Sequence, residues 1–369
     1  MRPNAIFFLS TAATSMSVLF IPVIAQNMGA SNLMIGLIVS MYGFMSLLSM
    51  YFFGWVSDEK GRLALIRAGM LFAAFAFLMQ SFADTEAKLL AARSLCGLSI
   101  GVFYSSLVMY GVEAGKKLGK FTSYESLGWG AGNLVAGLMI GASLFGLVAG
   151  YADIFTVSAL VFFACFILSM RLRDVKAARI RSPLLPIGLI RKNANIYFPF
   201  LLRDIGAFCA WTFFPLYLID LGANDMWIGI LIFLNSGLQF PMKQIVDRYD
   251  FEKLFTWGLA ISAVALYAYV LPRNYIEVIP VQLLIAIAWT TLSVGAMGLL
   301  TQRNQEKATV IGLFSSTRGV AQIIAPLVGG VIAEYWGYKA LMFFSGSITT
   351  LGLAFHLSLK ERRIKSQRV

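Results

Sequence analysis

From Pro3 to Ser57 the chain carries no formal charge, fifty-five residues broken by one polar turn, Gln26-Asn27-Met28-Gly29-Ala30-Ser31-Asn32. A soluble core does not swallow so long an apolar stretch. A hydrocarbon layer of roughly 30 Å takes about twenty helical residues to cross, so the stretch reads as two spans joined by the turn. The same spacing of charge clusters places further spans near 63–83, 87–111, 121–145, 152–170, 196–219, 226–246, 254–272, 277–301, 308–333 and 339–359. The expected fold is all-α and membrane-integral, with twelve transmembrane helices. Composition agrees, since 59% of the 369 residues are hydrophobic and only 13% are charged. The first run is too long for a secretory signal, holds Ser10, Thr11, Thr14, Ser15 and Ser17, and lacks a small-residue cleavage site, so it is expected to remain as the first helix.

A formal charge of +12 raises the question of nucleic-acid binding. The basic residues answer it by position: twenty-four of the thirty fall in alternate connections and at the two termini. The opposite connections hold only Lys88, Arg273 and Lys339, while Arg93, Arg203 and Arg318 lie inside spans. This is the positive-inside pattern of a plasma-membrane protein with both termini cytoplasmic, and no nucleic-acid partner is expected. Cys96, Cys165 and Cys209 sit in separate apolar runs without a second ligand nearby and read as small core hydrophobes, so neither zinc nor another metal is expected.

The longest charged connection, Arg171 to Lys192, contains Pro183 and Pro186 and divides the chain into bundles at 1–170 and 196–369, with 171–195 as a cytoplasmic linker. Internal similarity supports a duplication. GWVSDEKGR from Gly54 and KQIVDRYDFEK from Lys243 follow the second and eighth spans and set Asp58 and Asp247 189 residues apart. The glycine-rich SLGWGAGNLVAG from Ser126 is echoed by TRGVAQIIAPLVGG from Thr317. Two pseudo-symmetric six-helix bundles imply a substrate site between them near the bilayer midplane.

On these residues the whole chain resembles the major facilitator superfamily. Gly54-x-x-x-Asp58-x-x-Gly61-Arg62 is similar to that family's signature between its second and third helices, with Leu63 where a second basic residue is usual. A glycine at 54 admits close helix approach and one at 61 a tight turn. The resemblance implies that Asp58 touches the segment beginning near Ala308 and that Arg62 pairs with Glu113, a latch holding the cytoplasmic side shut. Arg93-x-x-x-Gly97-x-x-x-Gly101 is similar to the fourth-helix pattern linked to proton coupling, with the arginine and both glycines on one helix face. An arginine at mid-helix costs at least about 2.5 kcal/mol, so a function is expected of Arg93 unless it snorkels to the nearby outer surface. The fifth span supplies Gly128, Gly130, Gly132, Gly137 and Gly141 but not the family's proline there, whereas the eleventh keeps Pro326 with Gly329 and Gly330.

The remaining intramembrane charges are Glu125, Arg203, Asp204 and Arg318. Desolvation raises a carboxylate's proton affinity and a neighbouring cation lowers it, which makes Glu125 and Asp204 candidates for loading and releasing a proton, with Arg93 and Arg318 as coupling or gating partners; a static ion pair is the competing reading. The guanidinium fork of Arg203 or Arg318 also suits an anionic substrate. Tyr104, Trp211, Tyr217, Asn235, Gln239 and Trp289 are further candidates for the substrate cavity, against the alternative of packing or interfacial belt. His356, the single histidine, reads as structural. No phosphate-binding loop, catalytic triad or cofactor motif can be assembled, so the expectation is a monomeric, proton-driven secondary transporter of a small solute rather than an enzyme. Export of amphipathic molecules ranks first and uptake of an organic anion or sugar second, with a membrane-embedded enzyme or receptor a remote third.

Overall fold

The computed structural model describes residues 2–115, 118–141, 150–173, 186–246 and 248–366. Among them are thirteen α-helices: α1 Arg2–Leu19, α2 Ile21–Asn27, α3 Asn32–Lys60, α4 Arg62–Met79, α5 Glu86–Glu113, α6 Leu118–Gly141, α7 Tyr151–Met170, α8 Ile187–Lys192, α9 Ala194–Asp220, α10 Asp225–Val246, α11 Phe251–Ala268, α12 Val278–Arg303 and α13 Lys307–Ser366. Each expected span falls on one of these rods. α1 with α2 forms the first, and α13 bends at Gly337 (φ 78°) into the last two. Only a residue without a Cβ takes that backbone cheaply, and Gly61 (φ 93°) breaks α3 from α4 in the same way. The 171–195 connection is not wholly irregular, because α8 forms directly after Pro186.

Among the described residues eight helical stretches are long and apolar enough to cross a bilayer by length and composition, the last being the bent 52-residue stretch Thr309–Lys360. α6, α10 and α11 fall outside that set: α6 and α10 carry glycines and polar groups, and α11 is eighteen residues long and opens on Glu252 and Lys253. Large side chains such as Phe75, Leu160, Trp257, Val264 and Leu351 are exposed on the outer faces, as helices solvated by lipid require.

In the first half α1 packs on α6 and α7, α3 on α5, and α4 on α5 and α7; in the second α9 packs on α13, α10 on α12, and α11 on α12 and α13. The halves are joined along two seams, α3 with α13 and α6 with α10. We call the end bearing Lys60, Lys192, Arg303 and Lys360 the basic end and the opposite one the far end.

The apolar cores show how the halves are tilted. At the far end one core contains residues of both, with Phe20, Ile24, Ile35 and Ala136 packed together with Phe213, Ile228 and Ala325. Toward the basic end the core splits. Ile66, Phe77, Phe103 and Phe162 belong to a first-half core, and Phe200, Phe255, Leu292 and Phe314 to a separate second-half core. The seams follow suit. A Cβ on Gly36 would lie 2.3 Å from the Pro326 carbonyl and one on Gly330 2.7 Å from the Asn32 carbonyl, whereas Gly54 and Gly312 near the basic end have nothing within 4 Å. The close approach expected at Gly54 is therefore absent in this state, because α3 and α13 have diverged there. A cleft opens between the halves toward the basic end.

Candidate functional site

The cleft is where the intramembrane charges gather. Arg203 and Asp204 sit nine and ten residues into α9, and Arg318 eleven residues into α13. At 1.5 Å per residue all three lie roughly 15 Å from the basic end, about halfway through a bilayer. Asp204 is shared by two cations: Arg203 Nη1 donates to its Oδ1 at 2.9 Å, and Arg318 Nε lies 3.5 Å from its Oδ2. Arg203 Nε also donates to Ser262 Oγ at 3.1 Å. The Trp289 ring lies within 5.0 Å of the Arg203 guanidinium and 4.7 Å of the Arg318 guanidinium, which binds both cations to its π face. Arg203 and Asp204 are almost wholly buried, but the Arg318 side chain is 40% exposed at mid-helix depth.

The first half faces this cluster with Tyr104 of α5 and Glu125 of α6, whose side chains meet in a 2.7 Å hydrogen bond from the phenol to the carboxylate. Lys243 of α10 crosses the seam, donating to Ser126 Oγ at 3.0 Å and lying within electrostatic reach of Glu125 and Arg318. Tyr104 in turn feels Arg318. Charges from α6, α9, α10 and α13 thus lie within electrostatic reach of one another where the halves meet, and Arg318 among them is exposed.

Other candidates lie elsewhere. Tyr217 does not face the cleft: it is 1% exposed, donates to the Tyr269 carbonyl at 2.5 Å and packs among Phe214 and Tyr269 in the far-end core, where its ring is worth more as apolar volume than as a ligand contact. Trp211 is half-buried against Phe214. Asn235 and Gln239 are buried and bonded to each other at 2.7 Å, with Asn235 also reaching the Gln282 carbonyl of α12 at 3.4 Å, an arrangement that ties α10 to α12.

Arg93 does not snorkel. It is 1% exposed, 4.1 Å above the Tyr42 ring, and its Nη1 is 3.4 Å from Gln80 Oε1, which holds it against α3. No carboxylate pairs with it among the described residues, and its Nε has no hydrogen-bond partner there. Gly97 and Gly101 continue the same face and let α5 touch the backbone of α3 at Tyr42 and Met50.

At the basic end Arg62 and Glu113 form a two-pronged ion pair, Nε to Oε2 and Nη2 to Oε1, each at 2.7 Å. Arg62 Nη1 donates to Ser57 Oγ at 3.2 Å, and Ser57 is bonded to Ser106 of α5 at 3.0 Å. The side chains of Asp58 and Ala308, and the whole of Asp247, lie outside the described residues. In the second half Glu252 accepts from Arg303 at 3.5 Å and lies 3.8 Å from Lys360 Nζ. His356 shares a 2.9 Å hydrogen bond with Thr256, a structural placement. Lys243, Ser262 and Phe208, whose ring lies 5.9 Å from the Arg318 guanidinium, are not picked out by sequence reasoning. Lys243 stands in a basic-end cluster and looks like an orientation signal, while Ser262 and Phe208 carry no charge in runs that are otherwise apolar.

Two packed halves of long apolar helices, with charged side chains buried where they meet, define a multi-span membrane protein. The family model for the major facilitator superfamily matches residues 4–303 and 202–368, and the chain belongs to that superfamily. It is a secondary transporter of a small-molecule substrate in a lipid bilayer, working by alternating access, not an enzyme. Relatives called "Multidrug resistance protein MdtG" are 24% identical over 404 residues in Salmonella paratyphi A, covering 97% of this chain and 94% of the relative, and 23% identical over 407 residues in Salmonella arizonae, covering 98% and 95%. Among solved structures, the nucleoside transporter NupG superposes with a TM-score of 0.78 at 12% identity, covering 97% of this chain and 98% of that one. A bacterial homologue of the human lysosomal transporter Spinster, in an inward-facing and occupied conformation, superposes with a TM-score of 0.79 at 13% identity, covering 98% and 96%.

Proposed function

We propose that the chain is a proton-driven exporter of amphipathic small molecules in the cell membrane, working as a monomer. The observation that carries the proton reading is the pair of carboxylates between the halves, the partly buried Glu125 held by the Tyr104 phenol and the buried Asp204 held by Arg203 and Arg318. A carboxylate that alternates between a cation and a substrate-filled or empty cleft changes its proton occupancy as the halves rock. Export of amphipathic molecules is supported by the naming of the relatives, which match nearly end to end. All twelve helical segments are taken to cross the bilayer, with residues 1–170 and 196–369 as the rocking bodies and 171–195 as the linker. The basic clusters put both termini and the basic end in the cytoplasm. On that orientation the cleft opens inward, ready to load from the cell interior. In the opposite state the segment around Gly54 and Asp58 then closes against α13, while the Arg62–Glu113 pair, already formed here within the first half, holds that segment in position.

The test is transport in proteoliposomes under an imposed pH gradient, with an ionophore that collapses it. Coupled export stops on collapse, and Glu125→Gln or Asp204→Asn abolishes the pH dependence. Gradient-independent flux, with neither variant altering its pH profile, refutes proton coupling.

A further inference from the structure

The cleft has one cation to spare. Among the described residues Arg203, Lys243 and Arg318 are within reach of two carboxylates, Glu125 and Asp204, so three cations meet two anions and one positive charge is left over. That charge is best assigned to Arg318. Arg203 has the short bond to Asp204, the bond to Ser262 and full burial, while Lys243 reaches across to Ser126. Arg318 has only the 3.5 Å approach to a carboxylate already in use, and it makes no hydrogen bond among the described residues. Its position is nevertheless fixed, since Trp289 lies 4.7 Å and Phe208 5.9 Å from the guanidinium. A guanidinium held in place by two aromatic rings, 40% exposed and unsatisfied, is a prepared fork for an oxyanion. The walls of the cleft are apolar and limit screening, so the charge is felt more strongly there than on an open surface.

We propose that the substrate is an amphipathic organic monoanion, its carboxylate or equivalent oxyanion seated on Arg318 and its apolar body against Phe208 and Trp289. This rests on the transporter reading and adds the charge class of the cargo. The anion completes the neutralisation of the cleft. A cationic solute would add a second uncompensated positive charge to the same space.

The field is measured with a thiol placed beside Arg318. Ser315 is exposed and one helical turn away, and the native cysteines are all buried, so Ser315→Cys presents the reactive group. Full-length protein is labelled with the anionic sulfonatoethyl and the cationic trimethylammonioethyl methanethiosulfonates, and the rate ratio is normalised to a free thiol. The ratio is expected to favour the anion. Adding Arg318→Gln lowers it about tenfold, since one charge acts on the two reagents with opposite sign, while Arg318→Lys preserves it in a protein that remains monodisperse. In a second arm 2-naphthoate slows labelling, and 2-naphthamide and 2-naphthylmethylammonium do not. A ratio no more anion-favouring than the free thiol, insensitivity to Arg318→Gln, or protection by the amide or ammonium equal to or greater than by the carboxylate overturns the inference. Counterflow of naphthoate in proteoliposomes is scored separately. Arg318-dependent protection without counterflow removes the transport reading and keeps the anion site; counterflow confined to the neutral or cationic probes does the reverse.

Discussion

The α3–α13 seam predicts opposite effects for substitutions at its two ends. Along it Gly36 meets Pro326, Ser40 donates to the Ile323 carbonyl at 2.7 Å, Gly43 meets Gln322 and Leu47 meets Gly319. Eleven residues along α3 are answered by seven back along α13, so the seam continued beyond Leu47 runs past Gly54 on one helix and the turn of α13 from Gly312 to Ser315 on the other. In this state Gly54 and Gly312 both stand free. A methyl group added at Gly36 would meet a backbone oxygen at 2.3 Å and must retreat to the 3.4 Å of ordinary contact, with no side chain able to yield. Overpacking of this kind costs about 1–3 kcal/mol, which shifts a two-state equilibrium by about 5- to 150-fold. Gly36→Ala therefore moves the population toward the state closed at the basic end. Gly54→Val or Gly312→Val leaves the present state untouched and obstructs the closed one.

Spin labels at Tyr51→Cys and Ser316→Cys, both exposed across the open part of the seam, report the change as a distance distribution by pulsed electron resonance. Gly36→Ala is expected to enrich the short distance and Gly54→Val the long one. A distribution unmoved by Gly36→Ala, or shortened by Gly54→Val, refutes the hinge as drawn from the seam.

Two further outcomes follow from the buried charges. Glu113→Gln removes the two-pronged partner of Arg62, a guanidinium only 8% exposed, and should destabilise the folded protein by about 1–3 kcal/mol in a thermal unfolding assay; an unchanged midpoint would show the pair to be solvated and idle. Arg93→Met exchanges a buried cation lacking a carboxylate for an isosteric hydrophobe and should raise stability by about 1–4 kcal/mol while impairing transport, whereas a lowered unfolding midpoint would mean that the contacts to Tyr42 and Gln80 outweigh the desolvation.

Much of the fold was legible because lipid imposes a simple rule: length and apolarity mark the spans, and the charge clusters between them mark the ends. The break in the first span at Phe20 and the helix after Pro186 were not visible, since a turn inside an apolar run and six residues inside a basic linker leave no mark on hydropathy. The site was legible as a set of residue types but not as an arrangement. Arg203, Asp204 and Arg318 stood out because charge inside a span is expensive. That Trp289 binds the two arginines, and that Tyr217 is walled into the far-end core, depends on helix rotation, which the sequence of a nearly all-apolar helix does not encode. Arg93 was read as able to reach water from its depth alone, yet α3 covers it. Gly54 was expected in a tight contact that exists only if the two helices close.

The least legible feature is a symmetry hidden by a change of sign. Arg62 at the start of α4 pairs with Glu113 at the end of α5, and Glu252 at the start of α11 pairs with Arg303 at the end of α12. Partners are 51 residues apart in both pairs, and positions 62 and 113 carry over to 252 and 303 with the same offset of 190. A repeat search that rewards identity sees an arginine matched to a glutamate and scores a mismatch. Coulomb attraction is indifferent to which partner holds which charge, so the duplicated fold kept the brace while its residues exchanged roles. Both braces lie at the basic end, where the two halves have parted and no longer support one another. Each half is pinned internally at the place where it lacks its neighbour, which holds its helices together there instead of leaving them to fray one by one.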